Sequence, residues 1–185
     1  MKKTVFSLLF LLSCVTGFAQ TESGSWLLGG TASLGSLSSG GSSISQTNLS
    51  LLPTVGYFVI DNLAIGASLP ITYSSFGSSS STSVGIGPLG RYFFLPGKVK
   101  PFLQAQGGYV STSISNTGQS YSISGTTFGA GGGLAIFLTK SAALDLSLNY
   151  SSTSLTASGS SVSSTASNFG LQVGFLVYLS KGNKD

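Results

Sequence analysis

Near the C-terminus, residues 168–179 read N-F-G-L-Q-V-G-F-L-V-Y-L. The odd positions from Phe169 to Leu179 are all large and apolar, and the even positions are small or polar, apart from Leu176. A period of two over these twelve residues predicts a β-strand with one face in an apolar medium. Twelve residues is long for a soluble strand but suits one that crosses a bilayer at a tilt.

The composition narrows the class of protein. The 185 residues are enough for one domain, and only 6% of them are charged, against roughly a quarter in typical soluble domains. Beyond the N-terminus no apolar run reaches roughly eighteen residues, which excludes a helical membrane protein. A membrane β-barrel and a Ser/Gly-rich secreted β protein remain.

The N-terminus predicts export. Met1 to Gln20 contains two lysines, an apolar run from Val5 to Leu12, and the small residues Gly17 and Ala19. This is the pattern of a secretory signal peptide over residues 1–19, cleaved after Ala19, which leaves residues 20–185 as the barrel domain.

A lipoprotein signal is the alternative, because Leu11-Leu12-Ser13 precedes Cys14. Leu12 fits that pattern poorly. Cleavage after Ala19 would remove the chain's one cysteine, so we expect neither disulfides nor thiol chemistry in the exported protein.

The same alternation recurs along the chain, with short turns and longer Ser/Gly-rich loops in turn. We expect Pro53, which lacks an N–H, at a bulge or an interruption of the ladder. An even number of strands with short turns on one side indicates an all-β, eight-stranded antiparallel up-and-down transmembrane β-barrel. The predicted strands are Ser25–Leu34, Asn48–Val59, Leu63–Tyr73, Ser83–Phe94, Phe102–Tyr109, Thr127–Leu138, Ala142–Tyr150 and Asn168–Leu179. The predicted long loops are 36–45, 75–81, 116–121 and 152–167.

Alternation alone also fits a secreted sandwich or a lipocalin-like barrel, so the position of the charges decides. Within each predicted strand alternate residues form an apolar set and a small or polar set, which we call the apolar parity and the inner parity. From Ser25 onward no charged residue lies in a long loop or on the apolar parity. Soluble surface strands commonly carry Lys or Glu, which disfavours a soluble protein. We place the charges before the tail on short turns (Asp61, Lys98, Lys100, Lys140) or on strands near those turns (Arg91, Asp145).

Aromatic residues on the apolar parity predict two girdles. Ten steps of roughly 3.3 Å separate Leu63 from Tyr73, and a tilt of about 40° converts them to a height near 25 Å, the apolar band of an outer-membrane barrel. The girdle residues are Trp26, Tyr57 and Tyr92 near the turns and Tyr73, Tyr109 and Tyr150 near the loops.

The last strand also resembles the terminal targeting signal of outer-membrane barrels, a polar residue, a glycine and two apolar residues at fixed spacing. The residues that fit it are Gln172, Gly174, Val177 and Leu179. Most family members end at that last apolar residue, whereas this chain continues to Asp185.

The mature region as a whole resembles the small eight-stranded outer-membrane β-barrels of the outer-membrane protein A and X type. The segments that carry the resemblance are Gly56-Tyr57-Phe58, Gly87 to Tyr92 and Lys100-Pro101-Phe102. It implies a monomer in the outer membrane of a Gram-negative-type bacterium, surrounded by outer-membrane lipid and inserted by the barrel-assembly machinery.

The inner parity predicts a closed lumen. Large side chains cluster near the turn side, with small and polar ones above, so we expect a periplasmic plug below a wet cup. Arg91 and Asp145 share this parity and a similar height. An unpaired buried charge costs several kcal/mol, so we predict an ion pair, direct or through Gln104 or Tyr178, with a gate as the functional alternative. The predicted plug residues are Phe58, Phe102, Phe137 and Tyr178.

The sequence lacks the residues that several kinds of catalytic and binding site require. The chain has no histidine to activate a hydroxyl nucleophile, and Asp61 and Asp145 lie too far apart in the predicted barrel to act as a carboxylate pair. The glycines at 129–133 lie within a strand, which disfavours a nucleotide loop. We expect no enzyme activity, no cofactor and no metal.

The charges argue against a nucleic-acid partner. Without Lys2 and Lys3 the net charge is six minus four, or +2, with no basic cluster. A structural or surface-interaction (adhesin-like) role is expected, with a narrow channel or carrier for a small solute as the alternative. The sequence does not identify the extracellular partner.

Overall fold

The chain forms a closed antiparallel β-barrel. The computed structural model describes residues 21–38, 45–77, 79–116, 119–157 and 163–179. The first and last strands pair with each other, which closes the ring. In the described ranges no helix is long and apolar enough to cross a membrane. The elements are β1 (Trp26–Ser38), β2 (Ser45–Ile60), β3 (Leu63–Ser68), β4 (Ile71–Phe76), β5 (Ser79–Phe93), β6 (Val99–Asn116), β7 (Gln119–Phe137), β8 (Ala142–Ala157) and β9 (Ser163–Leu179).

β3 and β4 are the two halves of one barrel strand, since both pair with β2 and β5. The ring therefore has eight strands, and the predicted fold class is confirmed. The strand predicted over 63–73 is interrupted at Leu69 and Pro70. Pro53 faces this break on β2 and accepts a hydrogen bond from Leu69 N–H at 2.9 Å, so the expectation of an interrupted ladder at Pro53 is confirmed.

The strands are longer than a bilayer requires. β6 and β7 have 18 and 19 residues, whereas roughly 9–11 suffice to cross. Most residues of the predicted loops 75–81, 116–121 and 152–167 lie in strands, so those loop boundaries are wrong. The loop predicted over 36–45 is cut back in the same way, because β1 ends at 38 and β2 begins at 45.

The error has a physical cause. Ser and Thr carry no apolar alternation, so their period is invisible in the sequence. A ladder already fixed in the bilayer extends through them, and Thr suits an extended backbone. Hydroxyl pairs across the strands accompany this extension, such as Ser83–Thr112 at 2.8 Å and Ser154–Thr165 at 3.0 Å.

The polarity of the two faces reverses above the upper tyrosines. Below them the outer face is apolar, whereas above them Ser111 and Ser113 face outward. On the same strand Val110 is buried and Ile114 half-buried on the inner face. Such a reversal indicates that the outer surface passes from lipid to water at this height. We call this upper part of the barrel the collar. It comprises residues 33–38, 45–48, 74–76, 79–83, 110–116, 119–126, 151–157 and 163–168.

The lipid-facing band predicts a position-dependent cost of charge. Leu146 points outward midway between Ala142 and Tyr150 on β8, so Leu146→Lys should lower the free energy of unfolding in lipid by about 2–4 kcal/mol. Ser154→Lys, on the outer face of the collar in the same strand, should change it by less than about 0.5 kcal/mol. Urea titration of the refolded protein in vesicles measures both, and equal costs would contradict the assigned membrane boundary.

Candidate functional site

Aromatic rings fill the lumen at the end where the short turns lie. Phe58, Phe102, Phe137 and Tyr178 come from four different strands and are at most 6% exposed. The ring of Tyr178 lies 4.9 Å from Phe137 and 6.1 Å from Phe58. Phe93 lies between Phe58 and Phe102, at 6.0 and 5.8 Å. We call these five rings the plug.

Sequence reasoning missed Phe93. Its signal was present, because the alternation that points Arg91 inward also points Phe93 inward, two residues further along β5.

The segment before β1 covers the plug from below, which the sequence did not predict. Gly24 N–H donates to Phe58 O at 2.8 Å, and Thr21 Oγ1 donates to Asn62 Oδ1 at 2.7 Å. Lys100 Nζ donates to Thr21 Oγ1 at 2.7 Å and lies 5.6 Å from the Phe137 ring centre. The placement of Lys100 on a short turn is therefore wrong. It is the second residue of β6 and is buried, and its ammonium reaches the segment before β1 at Thr21.

Arg91 and Asp145 meet directly above the plug. Arg91 Nη1 lies 2.5 Å from Asp145 Oδ2, with the two side chains 3% and 0% exposed. The guanidinium carbon also lies 4.2 Å from the Phe102 ring centre. The charge is thus balanced by a carboxylate and faced by an aromatic ring, the two arrangements that make a buried cation tolerable.

A chain of amide side chains continues from this pair across the lumen. Arg91 Nη2 donates to Gln104 Oε1 at 2.6 Å, and Gln104 Nε2 donates to Asn149 Oδ1 at 2.6 Å. Asn149 Nδ2 and Thr31 Oγ1 both donate to Gln172 Oε1, at 3.1 and 3.0 Å. The connected groups belong to β1, β5, β6, β8 and β9, so the network ties opposite walls together.

The predicted girdle residues all lie on the outer face of the barrel, and the predicted targeting residues are divided between its two faces. Trp26, Tyr57, Tyr73, Tyr92, Tyr109 and Tyr150 all point outward, with 38% to 55% of each side chain exposed. The Trp26 and Tyr57 rings meet edge to face at 5.2 Å. Within β9, Gln172 and Gly174 face inward, and Val177 and Leu179 face outward.

Residues 5–175 match the family model described as the outer membrane protein beta-barrel domain. The chain belongs to this family of outer-membrane β-barrels. The expected transmembrane location in the outer membrane is thereby confirmed.

The predicted signal peptide and the tail to Asp185 lie outside the described residues. Cleavage after Ala19 and the alternative lipidation of Cys14 therefore stay predictions.

The chain is similar to solved structures of outer-membrane proteins. Neisserial surface protein A is 22% identical with a TM-score of 0.62, over 84% of this chain and 97% of that one. OprG from Pseudomonas aeruginosa is 14% identical with a TM-score of 0.49, over 88% and 99%. Ail of Yersinia pestis is 20% identical with a TM-score of 0.45, over 85% and 99%. At 22% identity the likeness to neisserial surface protein A is one of fold. No curated protein matches the sequence.

The buried ion pair predicts asymmetric effects of mutation. Asp145→Ala leaves the Arg91 guanidinium buried without its carboxylate and should lower the free energy of unfolding by about 3–5 kcal/mol. Replacing both groups, as Arg91→Met with Asp145→Leu, should cost clearly less, because no charge is left unpaired. Denaturant unfolding in detergent measures both variants, and an unchanged stability of Asp145→Ala would contradict the pairing.

Proposed function

We infer that this protein is a non-enzymatic surface-interaction protein, which presents its collar to an extracellular partner while its lumen stays closed on the periplasmic side. The observation that carries this proposal is the collar itself. Strand pairing continues through it to Asn116–Gln119 and to Thr156–Ser163, so each of its strands is paired on at least one side and the described collar is a sheet.

A paired platform suits recognition. Its side chains are held in rows before a partner arrives, which reduces the entropy lost on binding. Ser and Thr dominate the outer rows, and neither β6 above Lys100 nor β7 carries a charge. A partner would be bound by hydrogen bonds and shape, without electrostatic steering.

The plug supports the closed-lumen part of the proposal. An eight-stranded barrel is just wide enough for its own side chains. Five rings fill that width, with the ion pair directly above them and the covering segment at Thr21 below. A solute would have to displace several of them together.

The absence of enzymatic activity is likewise a proposal. It is supported by the sequence, which contains no histidine. In the lumen the one carboxylate among the described residues, Asp145, is engaged by Arg91 and cannot serve as a free base.

Binding by cells tests the interaction role. Cells that carry the protein should adhere to at least one immobilised matrix or serum protein to which cells lacking it do not adhere. Ser113→Arg with Ser154→Arg, on two outward collar strands, should weaken that adhesion by at least about tenfold, since unpaired charges would be buried. The matched Ser113→Ala with Ser154→Ala variant should retain it. Equal adhesion with and without the protein would contradict the proposal.

A narrow channel for a small solute is the second candidate function, favoured by the small and polar inner residues above the plug, such as Gly129 and Thr127. Planar-bilayer recording separates the two. The refolded protein should show no stable single-channel steps, whereas removal of two rings in Phe102→Ala with Tyr178→Ala should admit ions. The outward change Tyr109→Ala is the control. Stable steps from the unaltered protein would favour the channel.

A further inference from the structure

The wall of the barrel contains a gap in its hydrogen bonding on the extracellular side. In the part of the chain that the structure describes, the ladder between β1 and β9 stops at the pair Ala32–Val173. Both strands nevertheless continue, each paired on one side alone, β1 with β2 and β9 with β8. We call these two facing edges, residues 33–38 of β1 and 163–172 of β9, the seam.

The backbone groups that β9 directs at the seam follow from one hydrogen bond. Tyr178 N–H donates to Ser141 O, on the β8 side, at 2.7 Å. Successive residues of a strand direct their N–H and C=O to opposite neighbours, and the register with β8 runs without a shift. The backbone N–H and C=O groups of even-numbered residues in β9 thus point toward β8. The residues that face the seam are Ser163, Thr165, Ser167, Phe169 and Leu171.

The same reasoning applies to β1. Phe58 N–H of β2 donates to Ser25 O at 2.9 Å, so odd-numbered residues face β2. Leu34, Ser36 and Ser38 face the seam. The β9 edge is therefore the longer of the two, because five of its residues direct backbone groups into the seam, against three on β1.

Nothing in the sequence blunts these edges. Natural proteins protect exposed strand edges with lysine, proline or charged side chains, and neither part of the seam contains one. The seam also begins at an unfavourable height. Phe169 pairs with Tyr150 of the upper girdle, and Leu171 lies one rung closer to the hydrocarbon, where an unpaired backbone group costs several kcal/mol.

We propose that the seam is a docking site for an extended, uncharged segment of a partner polypeptide, which adds to β9 as an antiparallel strand. A polypeptide fits because its backbone supplies alternating donors and acceptors at the spacing of the edge. The added strand continues the β1–β9 ladder, and its inward side chains lie beside the small residues Ser164 and Ala166. This assignment rests on the proposed surface-interaction role and names the partner's chemistry.

Amide hydrogen exchange on the protein in lipid nanodiscs tests the seam. The probe is a synthetic peptide copying residues 33–41, the stretch that the β1–β9 register, continued beyond Ala32–Val173, would place opposite residues 164–172 of β9. Without peptide, the amides of Thr165, Ser167 and Phe169 should exchange faster than those of their even-numbered neighbours. With peptide, these three should slow by at least about tenfold.

Two matched controls make the result specific. N-methylation of the peptide at the positions of Leu34, Ser36, Ser38 and Gly40 removes the N–H groups directed at β9 and should abolish binding. N-methylation at the positions of Ser33, Gly35, Leu37 and Ser39 should preserve it. On the protein, Thr165→Lys should abolish binding, whereas Ser113→Lys, within the paired collar, should not.

Three outcomes would overturn the proposal. Protection of Thr165 and Ser167 before peptide is added would mean that the seam is already closed. Protection that rises with protein concentration alone would mean that a second copy fills it. The third outcome is that the peptide does not bind and that protein-dependent cell adhesion survives Thr165→Lys. The seam would then not be a docking site, and the surface-interaction role would stand.

Discussion

The constraint on which this structure depends is that hydrocarbon offers no partner to a backbone N–H or C=O. Each residue in the membrane must find both partners within the chain, and a ring of eight antiparallel strands supplies them. The outer face can then be apolar throughout, because the polar backbone is already satisfied. The small lumen follows from the number of strands, and the plug, the ion pair and the amide network follow from the small lumen.

The sequence predicts the part of this fold that lies in the bilayer. There the medium imposes a period of two, and residues such as Leu146 and Val173 record it directly. The inward parity then leads to Arg91 and Asp145, because a chain with so few charges offers them few other partners. The same parity predicts four of the five plug rings, and it leaves open whether the pair is direct or linked through Gln104 or Tyr178.

The sequence does not predict the structure beyond the bilayer. In the collar the apolar residues change to the inner face and become sparse, as at Val110 and Ile114, so the period weakens while the pairing continues, as at Ser113–Ser122. The covering segment at Thr21 depends on contacts with Asn62 and Lys100, which are distant in sequence and leave no local pattern. Pro53 predicts an interrupted ladder on its own strand, but the sequence does not predict the break at Leu69 and Pro70 on the facing strand.

Tyr178 has a consequence for the order in which the molecule is assembled. It belongs to β9, which follows all other strands in the chain, yet its ring contacts Phe58, Phe93 and Phe137 from three earlier ones. Before β9 arrives, the aromatic cluster lacks its central member and the sheet is an open trough. Closing the wall and completing the hydrophobic interior therefore require the same strand, and a barrel that has not yet docked β9 possesses neither.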